Sequence, residues 1–244
     1  KIYTSGSFLD PKEVPPSSAE GLLSHLKPSK KIVFETRPEF VTDERIEGIA
    51  RVAPQAEVAL GLESSNDEIL SKCINKGFSV ADYLKAVETV RGRSLGVRTY
   101  LLLKPPFISE RRSIDDAISS IRFASRHSDV VSLNPVTVHS GSLVERMFQR
   151  REYRPAWLWS VDRVLRETAQ EANHLVCSTV AFGKPRGPHN CGDCDGAFSY
   201  LVDRFNLAGK LGEEVRCDCR TRWERELTES RCLGGVSGYD VDGE

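Results

Sequence analysis

Short apolar, β-branched runs recur along the chain at residues 2–5, 31–35 (KIVFE), 57–63 (EVALGLE), 96–103 (GVRTYLLL) and 129–134 (DVVSLN), each closing on polar, Pro or Gly residues. They predict strands. Between them run segments of helical spacing with start signals: Thr42 before DERIEGIARV, Ser79 before VADYLKAVETV and Ser113 before IDDAISSIRFASRH. Each is an N-cap residue followed by acidic side chains in the first turn. Regular alternation of strand and helix predicts parallel βα units. Continuous rather than alternating apolar character predicts that both strand faces are covered. A (β/α) barrel or partial barrel is the expected architecture.

Beyond residue 140 the rhythm changes. Residues 141–149 and 155–173 read as helices, the second opening on Pro155 and placing Trp157, Leu158, Val161, Val164 and Leu165 on overlapping faces, as a core helix would. Residues 175–182 read as a last strand, followed by GKPRGPHNCGDC, too rich in Gly and Pro to be regular. The expected organisation is a partial barrel over 1–140, a helical extension and last strand over 141–182, a cysteine-rich appendage over 183–232 and a frayed tail over 233–244.

Active sites of such barrels sit where the strands end. That places Ser5, Gly6 and Ser7, Glu35 and Arg37, Glu63, Lys104, and Asn134 with Thr137 and His139 on one rim. Arg37 suits bidentate carboxylate binding and Glu63 ribose hydroxyls, although such residues also pair with one another structurally.

Seven cysteines occur, at 73, 177, 191, 194, 217, 219 and 232. Four form two tight pairs, Cys191 with Cys194 and Cys217 with Cys219, with the predicted helix AFSYLVDRFNL between the pairs. Two turns, each aiming two thiolates at one point, make the tetrahedron that a structural zinc ion prefers. A redox dithiol and an iron–sulfur cluster use similar residues, and His189 is a possible substitute ligand. The three remaining cysteines read as small buried residues. No P-loop, G-x-G-x-x-G, G-x-S-x-G or H-E-x-x-H occurs.

Charge is nearly balanced overall, with 34 basic and 35 acidic residues, but residues 91–154 carry +6 between acidic flanks. A basic middle suits an anionic partner, and solvated surface arginines produce the same count. No stretch approaches 18 consecutive apolar residues and no secretory leader opens the sequence, which predicts no membrane partner and a cytoplasmic setting. The chain opens on Lys1 inside an apolar stretch and its single methionine is Met147, which predicts a fragment.

The strand-end strings IYTSGSFLDPKEVP, FETRPEFVTDE, ALGLESSNDEIL with NKGF, and YLLLKPPFISE resemble those of the elongator-type radical S-adenosylmethionine (SAM) domain. Together with SLNPVTVHSGSLVE, YRPAWLWS and RGPHNCGDCD, they resemble the archaeal radical SAM family of archaeosine biosynthesis, over residues 1 to about 228. The resemblance implies a partial (β/α)6 TIM-like barrel, here lacking its first strand, with a small C-terminal four-cysteine appendage. It implies SAM, a [4Fe-4S] cluster and an electron donor. A 5′-deoxyadenosyl radical would then convert a lysine-adducted 7-deazaguanine at tRNA position 15 to archaeosine, after a lysine-transferring archaeosine synthase has acted.

Carried over by strand, Ser5 and Gly6 would meet the SAM amino group, Arg37 its carboxylate, Glu63 the ribose, and Lys104 the adenine or substrate, with Asn134 completing the set. Cys191, Cys194, Cys217 and Cys219 remain a separate structural metal site. Arg146, Arg150, Arg151 and Arg154 are placed to meet tRNA phosphates. The family's CxxxCxxC is missing from these residues, so this stretch alone should not reduce SAM, and truncation is the expected reason. The competing expectations are a non-catalytic, zinc-stabilised RNA-binding barrel subunit and a different barrel enzyme whose rim binds another ligand.

Overall fold

A computed structural model describes residues 1–2 and 6–228. Ser5, Cys232 and the tail over 233–244 lie outside the described residues. Five parallel strands form one sheet in consecutive order: β1 (Ile32–Thr36), β2 (Ala56–Glu63), β3 (Gly96–Leu103), β4 (Val130–Pro135) and β5 (Leu175–Cys177). Ile2 adds a single parallel bridge to Phe34 at the β1 edge. Helices fill the crossovers: α1 (Pro16–His25), α2 (Asp43–Val52), α3 (Val80–Arg91), α4 (Glu110–Ser125), α5 (Leu143–Gln149) and α6 (Leu158–Thr168). α7 (Asp195–Ala208) and α8 (Arg220–Thr228) follow β5.

Side-chain caps open four of the described α-helices, α2 to α5. Thr42 and Ser79 cap α2 and α3, and Ser79 with Asp82 forms a reciprocal capping box. The fourth crossover differs from expectation. Ser109, not Ser113, caps α4, and the Ser113 hydroxyl accepts the backbone N–H of Lys104 at 2.7 Å. The β5 strand is also shorter than the apolar run of 175–182 suggests. Asn206 of α7 accepts the Cys177 N–H at 2.8 Å and donates to its carbonyl at 2.7 Å, so a side-chain amide occupies the outer edge of β5 where another strand would pair.

Both faces of the sheet are largely covered, as the continuous runs predict, but they differ in polarity. Phe34, Val58, Leu60, Leu62, Val97, Leu101, Leu103, Val131 and Leu133 are almost wholly buried in the main core. Their alternates, Glu35, Glu57, Ala59, Gly61, Glu63, Arg98, Tyr100, Ser132 and Asn134, line the opposite, polar face, as the two-residue strand period requires. Small Ala59 and Gly61 made the β2 run look continuous. At the N-terminal end of that face Glu57 binds Arg98 at 2.6 Å and also pairs with Lys31. No helix among the described residues is long and apolar enough to cross a membrane.

Candidate metal centre and strand-end rim

The rim residues divide into four groups. Gly6 lies against Glu13, whose carboxylate fills the space a side chain would need and accepts the Ser7 N–H at 2.9 Å. Arg37 and Glu63 are brought together through the loop after β2. The guanidinium of Arg37 pairs with Glu39 at 2.6 Å and donates to the Lys76 carbonyl at 3.1 Å, while Lys76 pairs with Glu63 at 2.7 Å. Glu63 adopts a left-handed φ of 71°, which turns its carboxylate toward Lys76 at a β-bulge.

Lys104 is the exception. It is also left-handed, with φ 63°, but its ammonium runs into the protein, donating to the Ile108 carbonyl at 2.6 Å beside Glu110 at 3.8 Å. Only 5% exposed, it is held as a structural cation at the start of α4 rather than on the open rim.

Asn134 belongs to a cavity of about 520 Å³ on the polar face, with Glu35, Arg98, Tyr100, Ser132, Ser178 and Asn206. Burial lifts the Glu35 carboxyl above its ordinary value and the Glu63 charge adds to this, while a hydrogen bond from Tyr100 opposes both. Tyr100, Arg98 and Asn206 were not legible as site residues. The first two sit inside strands, and Asn206 arrives from a helix more than 100 residues away in sequence.

The four arginines also separate. Arg146, Arg150 and Arg151 are exposed at and beyond the C-terminal end of α5. Arg154 instead stacks on the Trp157 ring at 3.8 Å and donates to the carbonyls of His189 at 2.6 Å and Pro155 at 2.8 Å. Its charge is committed to folding the chain.

The four cysteines converge. Sulfur separations are 3.8 Å for Cys191 to Cys194, 3.6 Å for Cys191 to Cys217 and 3.7 Å for Cys194 to Cys219, and all four sulfurs lie within 4.8 Å of one another. These are not disulfides, whose sulfurs sit at about 2.05 Å. A tetrahedron with metal–sulfur bonds of about 2.3 Å has edges of about 3.8 Å, so the set fits one ion. A four-iron cubane would spread its thiolates further apart.

Local chemistry builds this geometry. Gly192, at φ +100°, supplies a turn that a side chain would strain, and Asp195 folds the loop by accepting the N–H groups of Asn190 at 3.0 Å and Gly192 at 3.4 Å. Cys194 and Cys219 immediately precede α7 and α8, so both sulfurs lie at the positive ends of helix dipoles. In the metal-free chain burial opposes ionisation of Cys191, yet hydrogen bonds from Cys194 and Asp193 leave its thiol below the ordinary value. Burial pushes Cys194 and Cys219 up. Cys73 and Cys177 stand apart and buried, as expected, and His189 bonds the Gly187 carbonyl at 2.8 Å.

The parallel α/β sheet with its crossover helices is a fold shared with an archaeal Elp3. Over 82% of this chain and 48% of the other, the structure of Methanocaldococcus infernus Elp3 with an N-terminal deletion superposes with a TM-score of 0.59 at 20% identity. No profile of a known protein family matches the chain. Among curated proteins, archaeosine synthase subunit beta of Methanosarcina acetivorans is 37% identical over 236 residues, covering 93% of this chain and 68% of the relative. The same subunit of Thermococcus kodakarensis is 38% identical over 234 residues, covering 92% and 72%. The chain belongs to the archaeosine synthase subunit beta family.

That membership corrects the sequence-derived reading of function. A catalytic radical SAM enzyme of which this chain is a fragment, acting after a separate lysine-transferring synthase, is not what the comparisons support. The relatives are named as one subunit of the synthase itself. The alternative expectation, a non-catalytic, zinc-stabilised RNA-binding barrel subunit, fits this name better than a catalytic enzyme does.

Proposed function

We propose that this chain is a zinc-stapled, tRNA-facing subunit of an archaeosine synthase, working with a partner subunit. The four-thiol centre carries the reading. It ties the start of α7 to the start of α8 within residues 183–228, and the exposed corner of Arg146, Arg150 and Arg151 lies just before α6 in the chain. Zinc fits a closed, four-thiolate site because it needs no open position and has no redox chemistry. Exposed arginines beside a metal-stiffened scaffold suit the phosphates of a folded RNA, where position matters more than base identity. The division into barrel, helical extension and cysteine unit belongs to the same proposal.

The polar face with its Glu35 and Asn134 cavity is the part suited to a small ligand, and SAM is the ligand that the strand-end resemblance implies. Asn134, Tyr100 and Ser132 offer hydrogen-bonding groups there, and Glu63 with Arg37 would meet polar substituents at the strand ends. No described residue supplies the cluster ligands of that resemblance, and the compact cysteine tetrad does not substitute for them.

Elemental analysis combined with tRNA binding tests the proposal. We expect about one zinc per chain, no iron, and salt-sensitive binding of tRNA that chelation weakens. A metal-free chain, iron with sulfide, or tRNA binding indifferent to salt would overturn it.

A further inference from the structure

We propose that Trp159 and Asn190 are positioning residues for the ion of the four-cysteine centre, each donating an N–H to one of its two buried sulfurs and so setting the charge those thiolates give to the metal. This rests on reading the tetrad as a metal site. The indole Nε1 of Trp159 lies 3.3 Å from Cys219 Sγ, and the amide Nδ2 of Asn190 lies 3.4 Å from Cys194 Sγ. The four residues involved are 3% to 7% exposed, whereas Cys191 and Cys217 are half-buried.

The geometry leaves each donor little choice. An indole N–H can only donate, and a buried one needs an acceptor. Trp159 is clamped edge-on against Phe198 at 4.7 Å, stacked on Trp223 at 6.3 Å and covered by the Arg220 guanidinium at 5.6 Å, so its N–H stays aimed at the sulfur. Asn190 is oriented from its other end. Its Oδ1 accepts the Leu158 N–H at 2.9 Å, which directs its NH2 toward Cys194. Both donors therefore fasten the centre to the first turn of α6, one from within it and one by bonding to it.

Charge explains why the buried sulfurs carry the donors. Four thiolates around a divalent ion leave two net negative charges, and the two sulfurs away from solvent have no water to share theirs. Core packing accounts for the burial of the tryptophans but not for the difference between them. The Trp223 indole donates to the Ser160 hydroxyl at 2.9 Å, while the neighbouring Trp159 indole donates to sulfur.

That difference supplies the control. The full chain is loaded with Co(II), and the sulfur-to-cobalt charge-transfer absorption is recorded, alongside Zn(II) affinity by chelator competition. Loss of an N–H···S bond raises the energy of the sulfur lone pairs, so Trp159→Phe should move the band to longer wavelength and weaken Zn(II) binding by about 10- to 100-fold. Asn190→Asp keeps the acceptor for Leu158 but removes the donor to Cys194, and should move the band in the same direction. Trp223→Phe, a truncation of equal size that touches no sulfur, should leave the band where it is.

An unmoved band in metal-loaded Trp159→Phe and Asn190→Asp would overturn the inference while leaving the metal site standing. Equal shifts in Trp159→Phe and Trp223→Phe would overturn it in favour of packing. Failure of the unaltered chain to take up either ion would instead defeat the reading of the tetrad, and the inference with it. Should Trp159→Phe not fold, Asn190→Asp decides.

Discussion

Glu110, in the first turn of α4, accepts the backbone N–H of Trp157 at 2.9 Å, and the same oxygen accepts the Ser160 hydroxyl at 2.5 Å. One carboxylate, 3% exposed, thereby joins the crossover between β3 and β4 to the start of α6, with the Lys104 ammonium 3.8 Å from its other oxygen. Removing it strands a buried cation and two buried donors. Glu110→Ala should cost about 3–5 kcal/mol in urea unfolding, and Glu110→Gln, which keeps an acceptor, less. A loss below about 1 kcal/mol for the alanine variant would show that water replaces the carboxylate.

Asp116 offers a pH test. Burial lifts its carboxyl to about 6, against the hydrogen bond donated by Ser64 at 2.7 Å and the Arg112 charge, which lower it. The folded chain thus holds a proton that the unfolded chain releases near the ordinary value. This contribution is full below that ordinary value and is lost as pH rises through about 6. Asp116→Asn removes the cost of burying the charge, and should stabilise the protein by about 1–3 kcal/mol at pH 8 and hardly at all at pH 4. Equal gains at both pH values would contradict the assignment.

The arginines near α5 should fall into two classes. Arg150→Ala and Arg146→Ala should each reduce the slope of log affinity for tRNA against log salt by about 0.7 to 0.9, with melting temperature unchanged. Arg154→Ala should instead lower stability by about 1–3 kcal/mol through the lost Trp157 stacking and carbonyl bonds. Titrations at several salt concentrations and thermal melts distinguish the classes. An Arg150→Ala variant with the parental slope would mean the corner is only solvated.

Metal removal should act on stability first. At a free zinc concentration of about 100 times Kd the bound ion adds about 2.7 kcal/mol to the folded state. Chelation should lower Tm accordingly, and Cys194→Ser should leave a chain whose Tm no longer responds to zinc. A Tm indifferent to chelator in the parent chain would remove the stapling role.

Much of this molecule was readable along the chain. All five strands, the last of them shorter than its apolar run, and the caps at Thr42 and Ser79 follow from local pattern, because a strand's apolar run and a helix's first turn are short-range features. α8 was not readable. RTRWERELT carries only Trp223 and Leu227 on its buried face, too weak a period among so many charges. The Ser113 cap failed for a different reason: a serine four residues earlier competes for the same helix, and only the packing of the Lys104 turn decides between them.

The same boundary runs through the functional residues. Spacing alone paired Cys191 with Cys194 and Cys217 with Cys219, since two sulfurs one or two residues apart can converge within one turn. Bringing the two pairs within 4.8 Å is work done by α7 packing on α6 and by α8, which packs on α4 and reaches α6 through Trp223, contacts between residues far apart in sequence. Residue type likewise marked Lys104 and Arg154 as available cations, because charge is written in the sequence. Whether a charge faces solvent or a buried carbonyl depends on which distant backbone lies beside it, and tertiary packing turned both inward.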